Sequence, residues 1–159
     1  KGGIRNNIIP DSVELIGTFR TFDPSVRAQV IESIKRISRD VAAAQGATAE
    51  FELGGDPNPV VVNDAALTAR AVASLQRISG RDNVKVIPFV TGSEDYAYYG
   101  AKVPSFFYFV GVTPHGQDAS AAPSNHSPKF FVDEGALPVA VKTLVGAAVD
   151  YLQQGVQPD

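Results

Sequence analysis

The sequence predicts an α/β fold, from two apolar runs and the loops that follow them. Val84–Val90 and Ser105–Val112 are rich in Val, Ile and Phe and are short for helices. Runs that are apolar on both faces are typical of buried strands in a mostly parallel sheet. Residues 94–102 between them can form a short crossover helix, capped by Ser93 or Asp95. Because parallel strands end at one sheet edge, where open α/β sheets bind ligands, we expect both loops to line one crevice.

Composition excludes several classes of function. The 159 residues are 44% hydrophobic and 19% charged, with a net charge of −3, which is typical of a globular chain. No basic stripe indicates nucleic acid or an anionic membrane, and no apolar run approaches the roughly 20 residues of a membrane helix. The chain has no cysteine for disulfides or thiolate ligands. It also has no methionine, so we expect Lys1 to follow a cut and the chain to be the carboxyl-terminal piece of a longer protein, whose compartment stays open.

The first third of the chain predicts a strand, a helix and a second strand. Residues 13–20 alternate in polarity, which places Arg20 on the more polar face. Asp23-Pro24 is a favourable helix start and Gly46 a favourable end. The apolar stripe of this helix is formed by Val26, Val30, Ile34, Ile37 and Val41. With the alternating run Ala47–Leu53, these elements predict half of an α+β layer.

The strongest breaker in the chain, Gly54–Pro59, predicts a domain boundary. Beyond it, Asn63 or Asp64 can cap a second helix, which Gly80 closes. Its inner stripe consists of Leu67, Ala71, Leu75 and Ile78. Asp133-Glu134 opens a last helix, whose apolar residues are Leu137, Val141, Leu144, Val145, Ala148 and Leu152.

The two histidines both lie in the polar loop after the second apolar run. A loop histidine is usually exposed polar surface, and His115 is read that way. His126 has the same plain interpretation, but Asn125 and Ser127-Pro128 form a stiff turn around it that could orient the ring. His126 is therefore the candidate ligand or catalytic group.

Other candidate side chains also have structural interpretations. Glu94 and Asp95 could line a site or only stabilise the first turn of a helix. Arg20 could pair with Glu14 on the same strand face. The aromatic residues between positions 96 and 109 are more typical of core than of a nucleic-acid platform. One loop histidine falls short of the three or so protein ligands of a hydrolytic metal ion, so the residues alone give no complete catalytic set.

At these positions the sequence resembles a known family. The motifs are Asn7–Ser12 leading to Gly17–Phe22, then Gly92–Tyr96, then Asn125–Phe130 with Asp133-Glu134 close behind. In this order and spacing they resemble the zinc-dependent M20 peptidase/amidohydrolase family. The branch of hippurate hydrolases, N-acyl-amino-acid amidohydrolases and auxin-conjugate hydrolases is the most similar. The resemblance covers nearly the whole chain.

The resemblance implies a domain organisation. In this family a mostly parallel-sheet catalytic domain is interrupted by a smaller, ferredoxin-like α+β lid, which often dimerises. Residues 1–56 would be the second half of that lid, and residues 57–159 the carboxyl-terminal part of the catalytic domain. A homodimer through the lid is the expected assembly.

The resemblance also implies roles for individual residues. His126 matches the last ligand of a two-metal site that holds zinc, or another divalent ion such as manganese or cobalt. Asn7 and Arg20 match lid residues that hold the substrate's carboxylate or polarised carbonyl, a role that suits a guanidinium fork. The loop that lines the substrate pocket beside the metals matches Gly92, Ser93 and Glu94.

The function implied is hydrolysis of the amide bond of N-acyl amino acids or small peptides by a metal-activated water. The other metal ligands and the glutamate general base of the family precede the lid and are missing here. No catalytic residue is therefore assigned in this chain, which would need that amino-terminal part as a partner and would be inactive alone. The alternative is a non-catalytic binding or dimerisation domain on the same fold.

Overall fold

The computed structural model describes residues 2–55 and 58–153. The chain divides into two compact units, Lys1–Asp56 and Pro57–Asp159, and the division coincides with the boundary placed within Gly54–Pro59. The identity of the units as lid and catalytic parts stays a prediction. The α-helices of the described residues are α1 (Pro24–Ala44), α2 (Ala65–Ser79), α3 (Ala97–Gly100) and α4 (Ala136–Gln153), and a 3₁₀ turn spans Arg81–Asn83.

The first unit is organised around α1, whose two ends are set by local chemistry. The carboxylate of Asp23 accepts hydrogen bonds from the backbone N–H groups of Ser25 (2.6 Å) and Val26 (3.4 Å), and Pro24 occupies the first turn. Gly46, at φ +70°, turns the chain after the helix, as glycine does most readily. Both predicted helix ends are confirmed.

Helices α2 and α4 begin much as the sequence predicts, and α2 also ends where predicted. The carboxylate of Asp64 accepts the N–H of Leu67 at 2.7 Å, and Gly80, at φ +89°, follows α2. The carboxylate of Asp133 accepts the N–H of Gly135 at 2.9 Å just before α4. None of the helices in the described part of the chain is long and apolar enough to span a membrane.

Residues 2–55 and 58–153 contain no β-strand. In the run Val84–Val90, Val84 is half-buried and the other six residues are exposed, with Phe89 93% exposed. The prediction that this run is buried is therefore wrong for the described structure. A strand needs a hydrogen-bonded neighbour, and the polarity of a run does not show whether that neighbour is in place. The α/β fold class stays a prediction.

The core of the second unit is the pair α2 and α4. Asp150 on α4 accepts hydrogen bonds from the Ser74 hydroxyl and from the Arg77 guanidinium, both at 2.5 Å. Arg70 donates to the Tyr151 carbonyl at 3.2 Å, and its guanidinium carbon lies 4.4 Å from the centre of the Tyr151 ring. These polar contacts fix the register of the two helices, since each needs a specific pair of facing residues.

A glycine allows the two helices to approach closely. A methyl group built on Gly146 of α4 would overlap the terminal methyl group of Ile78 on α2. Small residues at such crossings let two helix backbones pack at short distance.

We expect Gly146→Ala to destabilise the second unit by at most about 1 kcal/mol, because turning the Ile78 terminal methyl group aside costs slightly more than the gain of about 1 kcal/mol in helix propensity. Urea unfolding followed by tyrosine fluorescence measures this unit alone, since all five tyrosines lie beyond residue 57. The control is Ile78→Val, which removes the obstructing methyl group. In that background Gly146→Ala should be neutral or stabilising, and an equal loss in both backgrounds would contradict the contact.

We also expect the stability of this unit to depend on the ionisation of Asp150. The Arg77 guanidinium, followed by the Ser74 hydroxyl, holds the pKa of Asp150 below its ordinary 3.8. A carboxyl whose pKa falls on folding contributes stability above its unfolded pKa and loses that contribution as the pH falls through the folded pKa. The stability difference between wild type and Asp150→Asn should be constant from pH 7 to pH 5 and shrink below about pH 4. A difference that stays the same at pH 3 would refute this role.

Candidate functional site

The candidate residues are distributed over both units. Asn7 and Arg20 belong to the first unit, and Gly92, Ser93, Glu94 and His126 belong to the second. Each group is described within its own unit.

In the first unit, Asn7 lies in a turn in which the N–H of Ile8 donates to the Arg5 carbonyl at 3.4 Å. Both Asn7 and Arg20 are exposed to solvent. Arg20 lies in a segment without regular secondary structure, just before α1. An exposed amide and an exposed guanidinium are suited to bind a carboxylate or a carbonyl oxygen by donating hydrogen bonds.

In the second unit, the loop Gly92–Glu94 leads directly into α3. Ser93 is exposed and its hydroxyl oxygen accepts a hydrogen bond from Asn58 Nδ2 at 3.1 Å. Glu94 is half-buried and its carboxylate accepts the N–H of Tyr96 at 3.3 Å. The prediction that Ser93 or Asp95 caps this helix is wrong: Tyr96 occupies the cap position without a side-chain cap bond. The Glu94 carboxylate instead accepts the N–H of Tyr96, the residue just before the helix.

Aromatic rings pack against Tyr96, just after this loop. The Tyr96 ring lies 5.2 Å from the Phe107 ring, and the Tyr96 hydroxyl donates to the Phe106 carbonyl at 3.4 Å. The Phe107 ring in turn meets Phe109 edge-on at 5.3 Å. These rings pack on one another, but none of the aromatic residues between positions 96 and 109 is fully buried, and Tyr98, Tyr99 and Phe109 are exposed. The interpretation of this group as core is therefore wrong for the described structure.

The aromatic segment is fixed to the start of α2 by one asparagine. Asn63 Nδ2 donates to the Phe107 carbonyl at 2.8 Å, and the Phe107 N–H donates to Asn63 Oδ1 at 2.8 Å. The N–H of the next residue, Asp64, donates to the Ser105 carbonyl at 2.9 Å. The Asn63 side chain therefore pairs with both the N–H and the C=O of Phe107, within the run Ser105–Val112, as the backbone of a neighbouring strand would.

His126 lies exposed in a tight turn. The N–H of Ser127 donates to the Ser124 carbonyl at 2.9 Å, and the N–H of Lys129 donates to the Ser127 hydroxyl at 3.1 Å. The turn predicted from Asn125 and Ser127-Pro128 is present, and it presents the imidazole to solvent.

The residues described do not make a metal site by themselves. Across 2–55 and 58–153, no three His, Cys, Asp or Glu side chains come together in a way that could hold an ion. A hydrolytic ion takes about three protein ligands and a water, and His126 can supply one. A role of His126 as a ligand stays a prediction from the resemblance.

Sequence reasoning missed two asparagines that contact the candidate site. Asn58 touches Ser93, and Asn63 fixes the segment behind Tyr96. The sequence indicates Asn63 only as a possible helix cap and Asn58 only as part of the boundary segment Gly54–Pro59. Their partners are 35 and 44 residues away in the chain, so no local pattern indicates them.

The family comparison and the curated relatives indicate the same family of proteins. The model of peptidase family M20/M25/M40 matches residues 4–150. The chain is 36% identical over 149 residues to a putative amidohydrolase, YhaA, of Bacillus subtilis (strain 168), covering 92% of this chain and 36% of that protein. It is 32% identical to the N-acetylcysteine deacetylase of the same organism, covering 96% of this chain and 38% of that protein. It is 29% identical to IAA-amino acid hydrolase ILR1-like 6 of Arabidopsis thaliana, covering 95% of this chain and 33% of that protein.

The chain spans roughly a third of the length of these curated relatives. No solved structure matches it significantly.

We expect Asn63→Ala to destabilise the second unit by about 1–3 kcal/mol, because it removes two hydrogen bonds, to the backbone N–H and C=O of Phe107, each worth about 0.5–1.5 kcal/mol. Asn63→Asp should be similarly destabilising at pH 7, since it keeps the shape but sets a carboxylate oxygen against the Phe107 carbonyl. Tyrosine-detected urea unfolding measures both changes. The matched control is Asn83→Ala, which removes one exposed side-chain bond to the Ser79 carbonyl and should cost less than about 0.5 kcal/mol. An Asn63→Asp variant as stable as wild type would refute the paired bonds.

Proposed function

The chain belongs to peptidase family M20/M25/M40, and we propose that it takes part in hydrolysis of the amide bond of N-acyl amino acids or small peptides. The observation that carries this proposal is the family match over residues 4–150, which includes every candidate residue of both units. The names of the relatives, an amidohydrolase, a deacetylase of an N-acyl amino acid and an amino acid hydrolase, support this class of substrate.

Within the first unit, the proposed role of Arg20 and Asn7 is to bind the substrate. An N-acyl amino acid presents a carboxylate and an amide carbonyl, both of which accept hydrogen bonds. The guanidinium of Arg20 can hold a carboxylate with two parallel bonds, and the Asn7 amide can donate one bond to a carbonyl oxygen. The solvent exposure of both side chains is compatible with this role.

Within the second unit, the proposed role of Gly92, Ser93 and Glu94 is to form a pocket wall. Ser93 is exposed, and a hydroxyl that accepts a bond from Asn58 keeps its own proton to donate. The half-buried Glu94 carboxylate is held by the Tyr96 N–H and so gives the wall a fixed shape.

A metal ion enters the proposal only through His126. Members of this family are generally metal-dependent, and we propose that His126 donates one imidazole ligand to zinc or another divalent ion. We also propose that the 159-residue chain alone does not turn substrate over, because one imidazole does not hold a hydrolytic ion. Assembly as a homodimer through the first unit is part of the same proposal.

The test is a comparison of the two histidines in the full product of the gene. His126 and His115 are both exposed and lie in the same loop, so His115→Ala is a matched control. We expect His126→Ala to lower the bound zinc by about one equivalent and to reduce hydrolysis of N-acetyl amino acids by more than about 100-fold. His115→Ala should change neither quantity by more than about twofold.

Normal zinc content and turnover in the His126→Ala protein would refute the ligand role. Binding of N-acetyl amino acids by the wild type, without hydrolysis when zinc is supplied, would favour a non-catalytic binding protein on the same fold instead.

A further inference from the structure

We propose that Asn58 is a positioning residue for the pocket loop Gly92–Glu94, acting through the hydroxyl of Ser93. This inference rests on the proposed function of that loop as a substrate-binding wall. The direct observation is the hydrogen bond from Asn58 Nδ2 to Ser93 Oγ at 3.1 Å. It joins residues that are 35 positions apart, so it is a tertiary contact and not a turn of the local chain.

Asn58 belongs to a short segment that contacts residues on both sides of α3. Asn58 lies at the start of the second unit, directly after the connection from the first. Five residues later, Asn63 is hydrogen-bonded to the backbone of Phe107. The ring of Phe107 packs against the ring of Tyr96. One short segment, which can span at most about 17–18 Å, therefore contacts both sides of α3: the loop before it and the aromatic segment after it.

The two ends of the loop are held differently. Glu94 is bound within its own turn by the Tyr96 N–H, and the Ala97 N–H donates to the Glu94 carbonyl at 3.4 Å. Ser93 is exposed, and residue 58 supplies its side-chain contact. We therefore expect the Ser93 side of the loop to depend on Asn58, whereas the Glu94 side keeps its local bonds.

The direction of the bond gives Asn58 a chemical effect as well as a steric one. A serine hydroxyl has one proton and two lone pairs. Because the Asn58 amide donates to one lone pair, the Ser93 proton is left to donate to a carbonyl or carboxylate oxygen of the substrate. An aspartate at position 58 would accept that proton instead, while still holding the loop.

The experiment has a structural arm, which needs no activity. Backbone ¹⁵N relaxation of this chain should give order parameters near 0.85 for Ser93 and its neighbours. Asn58→Ala should lower them below about 0.6 at residues 92 and 93, with a smaller change at Glu94. Asn58→Asp should keep the wild-type values. Asn83→Ala removes a comparable exposed amide bond elsewhere in the unit and should leave the loop unchanged.

The kinetic arm uses the full product of the gene with N-acetyl amino acids. Asn58→Ala should raise KM about fivefold with kcat within about twofold, the effect of one lost hydrogen bond in substrate binding. Asn58→Asp should raise KM as much, although its loop is ordered. That rise should persist at about 0.5 M salt, which screens repulsion between an exposed carboxylate and the substrate. Asn83→Ala should behave as wild type.

The outcomes separate this inference from the proposed function. A wild type that hydrolyses no N-acyl amino acid overturns the proposed function, and the relaxation data then decide whether Asn58 holds the loop. Unchanged order parameters in Asn58→Ala overturn the inference whatever the activity. A disordered loop with unchanged KM overturns the positioning role, and a wild-type KM in Asn58→Asp overturns the proposed direction of the bond.

Discussion

The two hydrogen bonds between the Asn63 side chain and the backbone N–H and C=O of Phe107 fix the aromatic segment that lies beside the pocket loop. A carboxamide has the same donor and acceptor as a peptide group, so one side chain can satisfy a backbone that has no strand beside it. Because Asp64, the next residue, caps α2, the same two positions fix the aromatic segment and start the helix. The Tyr96 ring packs on that segment, and the pocket loop precedes Tyr96 directly. The aromatic segment thus supports the start of α3, while Asn58 and the Tyr96 N–H hold the loop itself.

The helix pair itself is held by polar contacts as much as by apolar burial. Few residues of the second unit are fully buried, whereas Asp150 receives two donors and Arg70 both donates to the Tyr151 backbone and covers its ring. Ion pairs with exposed partners contribute little free energy, but they require particular facing residues. Together with the contact between the Ile78 side chain and Gly146, these pairs select one register for α2 and α4. A purely apolar contact would leave that register less defined.

The candidate side chains are distributed over the two units. The side chains suited to binding an anion are in the first unit, and the loop wall and the exposed imidazole are in the second. Large apolar side chains remain exposed in both, among them Leu15, Val86 and Phe89. The relatives that match this chain are roughly three times as long.

The sequence by itself determined the features that a few neighbouring residues control. Asp23 and Asp64 begin helices because a carboxylate one turn away can accept free N–H groups, and Gly46 and Gly80 end them because glycine adopts positive φ. The motifs also identified the family, since their order and spacing are properties of the chain alone. Only the tertiary structure decided which carboxylate occupies the turn before α3, that the run Val84–Val90 is exposed, and which side chains meet Ser93 and Phe107. The contacts of Ser93 and Phe107 join residues 35 and 44 positions apart, so local periodicity does not bring those groups together. The Glu94 carboxylate meets an N–H only two residues away, so the conformation of that turn selects it over its neighbours.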